Sequence, residues 1–460
     1  MVGRRAPVAA CLLAVAAAAG GCGGGDDEAP PAPSGWRVSD GWLRQDDGRV
    51  VLLRGVNLAG AHKQAPYFGF HEAVDFERVR SAWGMNTLRL LTTWAAVEPD
   101  EGVYDEAYLD ALELRLDWAE DAGLHVVLDM HQDVYGEGFG FDGAPRWTCD
   151  EAHYAAFQPI TPWFLNYQSP EVLACVDGFW HGEALQAHYL GAWRALAARF
   201  ATHPAVVGFE PMNEPHWGSA PMGSFESTLL APFYEKIVAG VRELAPGWVA
   251  FLEPSASRNL GVPTSLPGFS FGNWVYAPHA YDASAEQGAG FDPAHRAAFL
   301  VRYDALAAEA ALLGAALWIG EYGGTTSSPG ITEYMDAAYD GAAAARAGST
   351  YWAYDRNSGG YGLLEDSGAE KDVLLDVVAR PFPERVAGTP RSIAFDETTA
   401  TFSFAWEPDP ALAAPTELSI PDRAYPQGYA VTCAGCAYEK RPNLLVVTTP
   451  PGDGVVRVAP

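Results

Sequence analysis

Two glutamates of this chain occupy sequence settings that suit acid–base or nucleophilic chemistry. Glu214 lies in residues 208–215 (GFEPMNEP), and Glu321 lies in residues 318–323 (WIGEYG). Each follows a short apolar run that predicts a buried strand. Because burying an unpaired carboxylate costs several kcal/mol, such groups need a reason to be there. Two carboxyl groups that face one pocket can cleave a glycosidic bond, one as nucleophile and one as proton donor.

Further polar and aromatic side chains collect at the ends of the predicted strands. They are Asn57, Arg89, Asp129, His131, Asn213, Glu253, His279, Tyr281, Tyr322 and Trp352. In a barrel of parallel strands, the carboxyl ends of the strands hold the chemistry. Glu210 and Glu253 are interpreted as structural partners of a buried base or amide. Asp129 is interpreted as the residue that orients His131.

No bound metal, nucleotide or other cofactor is predicted. A metal site built from His131, Asp133 and His279 lacks support, because the sequence has no His-x-x-x-His or other close ligand pair there. No G-x-G-x-x-G or G-x-x-x-x-G-K-[ST] motif follows a predicted strand, so nucleotide binding is not indicated either.

Alternating apolar runs and helical patterns predict a (β/α)₈ barrel. The predicted strands cover residues 50–58, 87–93, 125–130, 205–213, 248–253, 274–281, 316–322 and 349–354. The helical patterns cover residues 72–83, 105–122, 183–200, 226–245, 292–313 and 331–347. Near-continuous apolar strands indicate burial on both faces, hence a parallel sheet covered by helices. Eight strand–helix units in about 330 residues fit a closed barrel better than an open sheet.

Changes in composition divide the 460 residues into four segments. The prediction is a signal peptide at 1–21, a flexible linker at 22–35, the catalytic barrel at 36–380 and an antiparallel β-sandwich at 381–460. In the last segment, short β-rich stretches are separated by Pro, Gly and Asp. Its role is either to stabilise the barrel or to help bind a polymeric or lipidic substrate.

The first residues predict export. Arg4 and Arg5 precede an apolar run at 8–19 that is too short to span a bilayer comfortably. Residues 19–22 (AGGC) resemble a bacterial lipoprotein cleavage site with Cys22 as the acylated residue; under ordinary signal cleavage Cys22 is incidental. The protein is therefore expected to be secreted or lipid-anchored at the bacterial cell envelope.

Export permits disulfide bonds, and four cysteines remain after the leader. Their grouping suggests the pairs Cys149–Cys175 and Cys433–Cys436. The Cys-x-x-Cys at 433–436 can instead hold zinc or be redox-active, but no second Cys/His pair accompanies it. The sequence leaves the connectivity open.

The charge balance restricts the partners. There are 29 Lys plus Arg and 58 Asp plus Glu, which gives a formal net charge of −29. This excess disfavours nucleic acids and anionic membrane surfaces, since both attract basic patches. Association with a membrane surface is expected through a lipid anchor and not through charge. The sequence carries no dimer signal, so a monomer is predicted.

The motifs around the two glutamates resemble glycoside hydrolase family 5, a family of retaining (β/α)₈ glycosidases. The resemblance covers roughly residues 50–355 and rests on Asn-Glu-Pro at 213–215 together with Gly-Glu-Tyr-Gly at 320–323. It extends to the residues at other strand ends, Arg89, His131, His279, Tyr281 and Trp352. Within the family, residues 84–90 (GMNTLRL), 97–105 and above all 128–135 (LDMHQDVY) are similar to endoglycoceramidases.

This resemblance implies roles for individual residues. Glu321 is the implied nucleophile and Glu214 the implied acid/base. The implied substrate-binding residues are Lys63, His131, Asp133, Asn213, Tyr281 and Trp352, with Arg89 and His279 as catalytic support. The charge of Glu321 is expected to raise the pKa of Glu214, so that Glu214 holds a proton at working pH.

The implied reaction is hydrolysis of the β-bond between oligosaccharide and ceramide in glycosphingolipids, by double displacement and without a cofactor. One alternative is a family 5 endo-β-glucanase, mannanase or β-glucosidase acting on polysaccharides or simple β-glucosides. Another is a non-catalytic barrel that binds glycolipids. The long excursion at 134–182 is rich in Phe, Tyr, Trp and Pro. It is expected to form, with residues 216–225, an apolar platform for the lipid.

Overall fold

The structure is a computed structural model that describes residues 35–286, 288–356, 360–448 and 452–460. The predicted signal peptide and Cys22 lie outside the described residues, as does the predicted linker apart from Gly35. Within the described ranges, none of the helices combines the length and apolar character needed to cross a bilayer.

Eight parallel strands close into a barrel, which confirms the predicted (β/α)₈ fold. They are β4 (Arg54–Leu58), β5 (Thr87–Thr93), β6 (His125–His131), β7 (Val206–Glu210), β8 (Val249–Leu252), β9 (Trp274–Tyr276), β10 (Ala316–Tyr322) and β11 (Gly348–Tyr354). Neighbours in the ring follow chain order, and β11 pairs with β4 to close it. The strands are buried along nearly their whole length because helices cover the outer face, which explains their continuous apolar sequences.

Twelve α-helices occur in the described residues, most of them packed around the barrel. They are α1 (Ala73–Glu77), α2 (Trp94–Val97), α3 (Glu106–Ala122), α4 (Glu151–Ala156), α5 (Pro170–His181), α6 (Glu183–Phe200), α7 (Met222–Phe225), α8 (Ala231–Arg242), α9 (Ala283–Glu286), α10 (Arg296–Leu313), α11 (Ile331–Ala345) and α12 (Asp372–Val378). Single π-helical turns at Arg78–Ala82 and Glu226–Leu230 adjoin α1 and α8.

Local sequence signals fix where the long helices begin and end. The Asp105 side chain accepts a hydrogen bond from the Tyr108 amide (3.0 Å) and caps α3 at its N-terminus. Gly123, with φ 72°, ends the same helix in the left-handed conformation that suits glycine. Helix α3 thereby begins and ends within the connection between β5 and β6.

Two antiparallel sheets complete the described part of the chain. The first has seven strands in the order β1 (Arg37–Ser39), β2 (Trp42–Arg44), β3 (Val50–Val51), β12 (Phe382–Val386), β15 (Thr416–Ser419), β18 (Leu444–Thr448) and β17 (Ala437–Arg441). The second has four, in the order β13 (Gly388–Asp396), β14 (Thr401–Pro408), β19 (Gly454–Ala459) and β16 (Ala430–Cys433).

The seven-stranded sheet contains residues from both ends of the described chain. Val50 and Val51 pair with Val386 and Arg385 rather than with a barrel strand. The sequence pattern predicted a single barrel strand at 50–58, and only Arg54–Leu58 forms it. The difference arises because one continuous apolar run contributes first to the seven-stranded sheet and then to the barrel. No Gly or Pro separates the two strands in the sequence.

The structure contains the disulfides Cys149–Cys175 and Cys433–Cys436. The first joins the 3₁₀ turn Arg146–Thr148 to α5 and encloses Pro162, Trp163 and Phe164. The disulfide therefore restrains the long segment that follows β6.

Replacing both cysteines of the first disulfide by serine should destabilise the protein more than the same change at the second. The sequence separations are 26 and 3 residues. Loop-closure entropy alone then gives losses of about 3.5 and about 1.6 kcal/mol in the free energy of unfolding. Urea unfolding of the two double variants measures this order, and equal losses would contradict the entropic explanation.

Candidate active site

Glu214 and Glu321 approach one another at the carboxyl-terminal end of the barrel. Glu321 belongs to β10, and Glu214 comes four residues after β7 ends at Glu210. One carboxylate oxygen of each, and a ring nitrogen of His279, all lie within 4.8 Å of one another. Retaining glycosidases place their two carboxyl groups about 5–5.5 Å apart, whereas inverting enzymes leave about 6.5–9.5 Å. The spacing is that of a double-displacement site.

The backbone at Glu214 is strained. Its φ of 40° falls in the left-handed region that residues with a side chain rarely adopt. Gln132 Nε2 donates to the carbonyl oxygens of Asn213 (3.0 Å) and Glu214 (3.1 Å), and the Asn213 amide donates to Met130 O (3.1 Å). These bonds from the end of β6 hold the turn that directs the carboxylate of Glu214 into the cavity.

Both oxygens of Glu321 are held by donors. Arg89 Nη1 donates to Oε1 at 2.6 Å, and the Tyr281 hydroxyl donates to Oε2 at 2.8 Å. Burial and the charge of Glu321 raise the pKa of Tyr281 well above its ordinary value, so the hydroxyl keeps its proton. The carboxylate is thus fixed in orientation by one charged and one neutral donor.

Arg89 is the cation at the centre of this end of the barrel. Besides Glu321, its guanidinium contacts Asn57, Asp129, Glu210, Asn213 and Glu253. Burial alone would lower its pKa, but the carboxylates around it raise the pKa well above its ordinary value. Glu210 thereby partners a buried base, and Asp129 Oδ2 contacts His131 Nδ1 at 2.7 Å.

The expected protonation of Glu214 is wrong for the unliganded protein. Burial raises the pKa of Glu214, but the hydrogen bond from His279 Nδ1 (2.8 Å) and the charge of that imidazole outweigh it and lower the pKa. Burial would lower the pKa of His279, yet the charges of Glu253 and Glu321 raise it well above its ordinary value. The proton expected on Glu214 therefore lies on His279.

The remaining predicted residues line one cavity of about 1030 Å³ with the two glutamates. The predicted substrate-binding residues that line the cavity are Lys63, His131, Asp133, Asn213, Tyr281 and Trp352. Arg89 and His279 lie beneath this lining, where Arg89 contacts Glu321 and His279 contacts Glu214. Further lining residues include Gln64, Phe141, Asp142, Trp163, Phe164, Glu286, Thr325 and Tyr361. The lining combines polar groups with aromatic rings, a combination that suits sugar binding.

Lys63, Asp133 and Trp352 form one wall of the cavity. Lys63 Nζ donates to Asp133 Oδ2 and lies 4.7 Å from the centre of the Trp352 ring. The charges of Lys63 and His131 overcome the effect of burial and hold the pKa of Asp133 well below its usual range. The His131 ring stacks on Trp352 with centroids 5.3 Å apart. The wall offers charged hydroxyl-binding groups next to an apolar ring face.

Sequence reasoning missed Asn259 and Asp142. Asn259, which follows the 3₁₀ turn Ala256–Arg258, donates to Glu214 Oε1 at 2.7 Å. Asp142 is buried in the cavity wall; its carbonyl accepts from the Asp133 amide (3.0 Å), and its Oδ2 lies 3.7 Å from Lys63 Nζ. Both residues lie in long loops whose paths depend on packing, and no spacing signal singles them out.

Asp142→Asn should stabilise the protein at alkaline pH. Burial raises the Asp142 pKa to about 7, despite the charge of Lys63. In the unfolded chain the pKa is about 3.9, so ionising Asp142 destabilises the fold progressively between those two pH values. We expect the variant to gain on the order of 4 kcal/mol in unfolding free energy at pH 8 and much less at pH 4.

Urea titrations of the wild type and the variant at several pH values measure that difference. The exposed Asp121, substituted by asparagine in the same way, serves as the control for the loss of one carboxylate. A gain at Asp142 that is as large at pH 4 as at pH 8 would contradict the argument.

Three groups of buried or half-buried residues in the described part of the chain bring metal-ligating atoms within 4.8 Å of one another. They are His131–Asp133–Asp142, Glu210–Glu253–His279 and Glu214–His279–Glu321. Lys63 forms an ion pair with the first group, and Arg89 forms one with the second. In the third group, Arg89 forms an ion pair with Glu321, and His279 is itself a member. Because the chain supplies its own cations at each position, we assign no metal site, and the sequence-based prediction of none stays a prediction.

Comparisons with known proteins match both parts of the chain. Residues 45–358 match the family described as cellulase (glycosyl hydrolase family 5), and residues 380–458 match the glycoside hydrolase family 5 C-terminal domain. The chain is 30% identical over 434 residues to Endoglycoceramidase I of Rhodococcus hoagii (strain 103S), which covers 89% of this chain and 85% of that protein.

A solved structure and a second curated relative extend the comparison. Endo-glycoceramidase II from Rhodococcus sp., in its complex with ganglioside GM3, aligns with a TM-score of 0.82 at 32% identity, over 92% of this chain and 100% of that chain. The Glucosylceramidase of Rhizopus delemar (strain RA 99-880) is 29% identical over 239 residues, which is 38% of this chain and 35% of that protein. The first similarity includes the C-terminal sheets as well as the barrel.

Proposed function

We infer a glycolipid-cleaving activity from one premise: the chain belongs to glycosyl hydrolase family 5, a family of retaining glycosidases. The proposed reaction is hydrolysis of the β-bond between an oligosaccharide and ceramide, which releases the intact glycan and free ceramide. The observation that carries the proposal is similarity to endoglycoceramidases over about nine-tenths of the chain, with a two-glutamate cavity at its centre.

The first half of the reaction transfers the glycan to the protein. Glu321 attacks the anomeric carbon, and Glu214, after taking up the proton that His279 holds in the unliganded protein, gives it to the leaving oxygen of the ceramide as the glycosidic bond breaks. Arg89 and Tyr281, which hold the two oxygens of Glu321, keep the carboxylate in line for this attack. The product is a glycosyl ester of Glu321 and free ceramide.

The second half returns the protein to its starting state. Glu214, now a carboxylate, takes a proton from a water molecule, whose oxygen attacks the anomeric carbon. The bond to Glu321 breaks, and Arg89 and Tyr281 stabilise the carboxylate that leaves. Two inversions at the same carbon give net retention of the β-configuration.

The proposed substrate has a polar and an apolar end, and the cavity offers surroundings for both. On the sugar side, Asn213 is proposed to bind the 2-hydroxyl, Lys63, His131 and Asp133 other hydroxyls, and Trp352 the apolar ring face.

Apolar side chains at the cavity mouth support a lipid-binding role for the neighbouring loops. Phe141, Trp163 and Phe164 line the cavity, and Trp163 is 44% exposed. Ile160, a few residues earlier in the same loop, is 43% exposed. Met222, the first residue of α7, is 40% exposed. An apolar surface of this kind is disfavoured in water unless a partner covers it, and the ceramide chains are the proposed partner.

Incubation with single glycolipids tests the proposal. The panel is ganglioside GM3, lactosylceramide, glucosylceramide, cello-oligosaccharides and mannan, with free glycan and ceramide separated by thin-layer chromatography. We expect intact oligosaccharide and ceramide from the first two. Cleavage of glucosylceramide alone would favour a glucosylceramidase, the activity named for the relative that matches a shorter part of the chain. Cleavage of cello-oligosaccharides or mannan with glycolipids untouched would refute the proposal.

Export and acylation of Cys22 belong to the same proposal and rest on the sequence alone. A lipid anchor would bring the cavity to the surface that holds glycolipid substrates. Cell fractionation of the wild type and Cys22→Ala tests this: the wild type should sediment with membranes and the variant should not. Identical distributions would mean that Cys22 anchors nothing.

A further inference from the structure

Asn259 makes a direct hydrogen bond to the acid/base, and the steps above do not use it. Its Nδ2 donates to Glu214 Oε1 at 2.7 Å, and His279 Nδ1 lies 2.8 Å from the same oxygen. We propose that Asn259 is a positioning residue, which holds the carboxyl group of Glu214 in place while a proton moves between Glu214 and His279. The proposal rests on the proposed function in taking Glu214 as the acid/base.

The two donors to Glu214 Oε1 behave differently during the reaction. The imidazole carries one hydrogen on Nδ1, and once that hydrogen has passed to Glu214, Nδ1 can only accept. The amide of Asn259 is neutral, keeps both of its hydrogens, and can donate to a carboxylate or to a carboxylic acid. Of these two donors, Asn259 is therefore the one that still holds Glu214 when the acid protonates the leaving oxygen.

Glu214 does not need this hydrogen bond to carry its charge. Its side chain is 19% exposed and lines the cavity, where water can solvate a carboxylate oxygen. A water molecule has no fixed direction, whereas the amide of Asn259 is attached to the backbone of a loop and approaches Oε1 from one side. The bond therefore contributes orientation, and a small misplacement of a reacting group costs a large part of the rate.

A buried carboxylate holds both ends of the loop that carries Asn259. Glu226, which is 2% exposed, accepts a hydrogen bond from the Ser255 amide at 2.7 Å. It accepts two more from Thr264 Oγ1, at 2.8 Å, and from the Ser265 amide. Since a carboxylate in the interior is tolerated only with such donors, both ends of the loop are tied to this group. Asn259 lies between those ends, so the position of its side chain is defined.

Two further contacts fix the turn next to Asn259. Arg258 Nε donates to Glu309 Oε2 at 2.9 Å, and both of these side chains are largely buried. The Ala256 amide donates to Pro215 O at 3.0 Å, and Pro215 directly follows the acid/base in the chain. The turn that presents the amide is thus bonded to the segment that presents the carboxyl group, which fixes one relative to the other.

Asn259→Leu tests the proposal because it keeps the approximate size of the side chain and removes the donor. An alkyl β-lactoside has a leaving group that needs the proton, so its kcat/KM should fall by about 10- to 100-fold. A dinitrophenyl β-lactoside leaves without a proton, so its kcat/KM should stay within about twofold of the wild-type value. For this second substrate kcat and KM should fall together, since water attack on the glycosyl ester still needs Glu214 as base.

Leu260→Ala is the matched control. Leu260 is the next residue of the same loop and is 70% exposed, so its truncation should leave kcat/KM for both lactosides within about twofold of wild type. Asn259→Ala accompanies the leucine variant, because a smaller side chain cannot crowd the turn, and it should give the same selective loss. Equal losses on the two lactosides, or no loss on either, would overturn the proposal.

A double-variant comparison separates the proposed role from a general effect on the fold. In a Glu214→Ala background, Asn259→Leu should not lower kcat/KM for the alkyl lactoside further, since the group that the amide holds is gone. A further loss of the same size in that background would also overturn the proposal. Neither lactoside contains ceramide. Failure to cleave glycolipids would therefore refute the proposed function, while the role of Asn259 is decided by the lactosides alone.

Discussion

Glu321→Ser is expected to reduce glycan release by about 10⁵-fold, because the carboxylate of Glu321 is the group proposed to form the covalent bond to the anomeric carbon. Of the two glutamates proposed as catalytic, only Glu321 is held by both Arg89 and Tyr281 in the described residues. The serine hydroxyl is shorter and is not ionised, so the in-line attack is lost. Measurement of initial rates on lactosylceramide, with mass-spectrometric detection of the lactosyl-protein, checks both the rate and the missing intermediate.

Added azide distinguishes a lost nucleophile from a damaged fold. The small anion can enter the space left by the carboxylate and attack from the same side, which gives an α-glycosyl azide with one inversion. Thermal unfolding and binding of lactose should remain close to those of the wild type. A variant that keeps turnover within about tenfold of the wild type would show that Glu321 is not the nucleophile.

Glu214→Ala should separate substrates according to their leaving group. Ceramide is a poor leaving group that needs the proton, so kcat/KM for lactosylceramide should fall by about 10²–10⁴-fold. A dinitrophenyl lactoside leaves without a proton, so its glycosylation step should change little. Water attack then lacks a base, and the lactosyl-protein should accumulate as a burst.

A matched variant in the same cavity provides the comparison. Glu286 also lines the cavity, and Glu286→Gln should change both substrates by the same factor. Equal losses on the two substrates for Glu214→Ala would contradict its role as acid, whatever the absolute rates.

The barrel was predictable from sequence where one local pattern belongs to one element. Residues 87–93 and 316–322 were predicted as strands and form β5 and β10 with those bounds, because burial on both faces demands an unbroken apolar run. Val50 and Val51 were misassigned because strand pairing across distant parts of the chain leaves no trace in the local pattern.

The site was predictable to the extent that strand ends determine position. Glu321, Arg89 and Tyr281 come together because they end or follow barrel strands, which sequence patterns locate. The sequence analysis predicts a raised pKa for Glu214, whereas the structure gives a lowered one. The sequence does not show which charged group lies nearest to Glu214. That neighbour is His279 at 2.8 Å, and this distance depends on the path of the chain after β9.

The sheet that unites β3 with β12 has a consequence for how the protein is made. Val50 and Val51 are synthesised early, whereas Arg385 and Val386, with which they pair in the sheet, are synthesised only near the end of translation. Until then the first strands have an open hydrogen-bonding edge, which favours pairing with other nascent chains. The protein can therefore complete its native fold only after translation is almost finished. A barrel expressed without its last eighty or so residues would keep that hydrogen-bonding edge exposed.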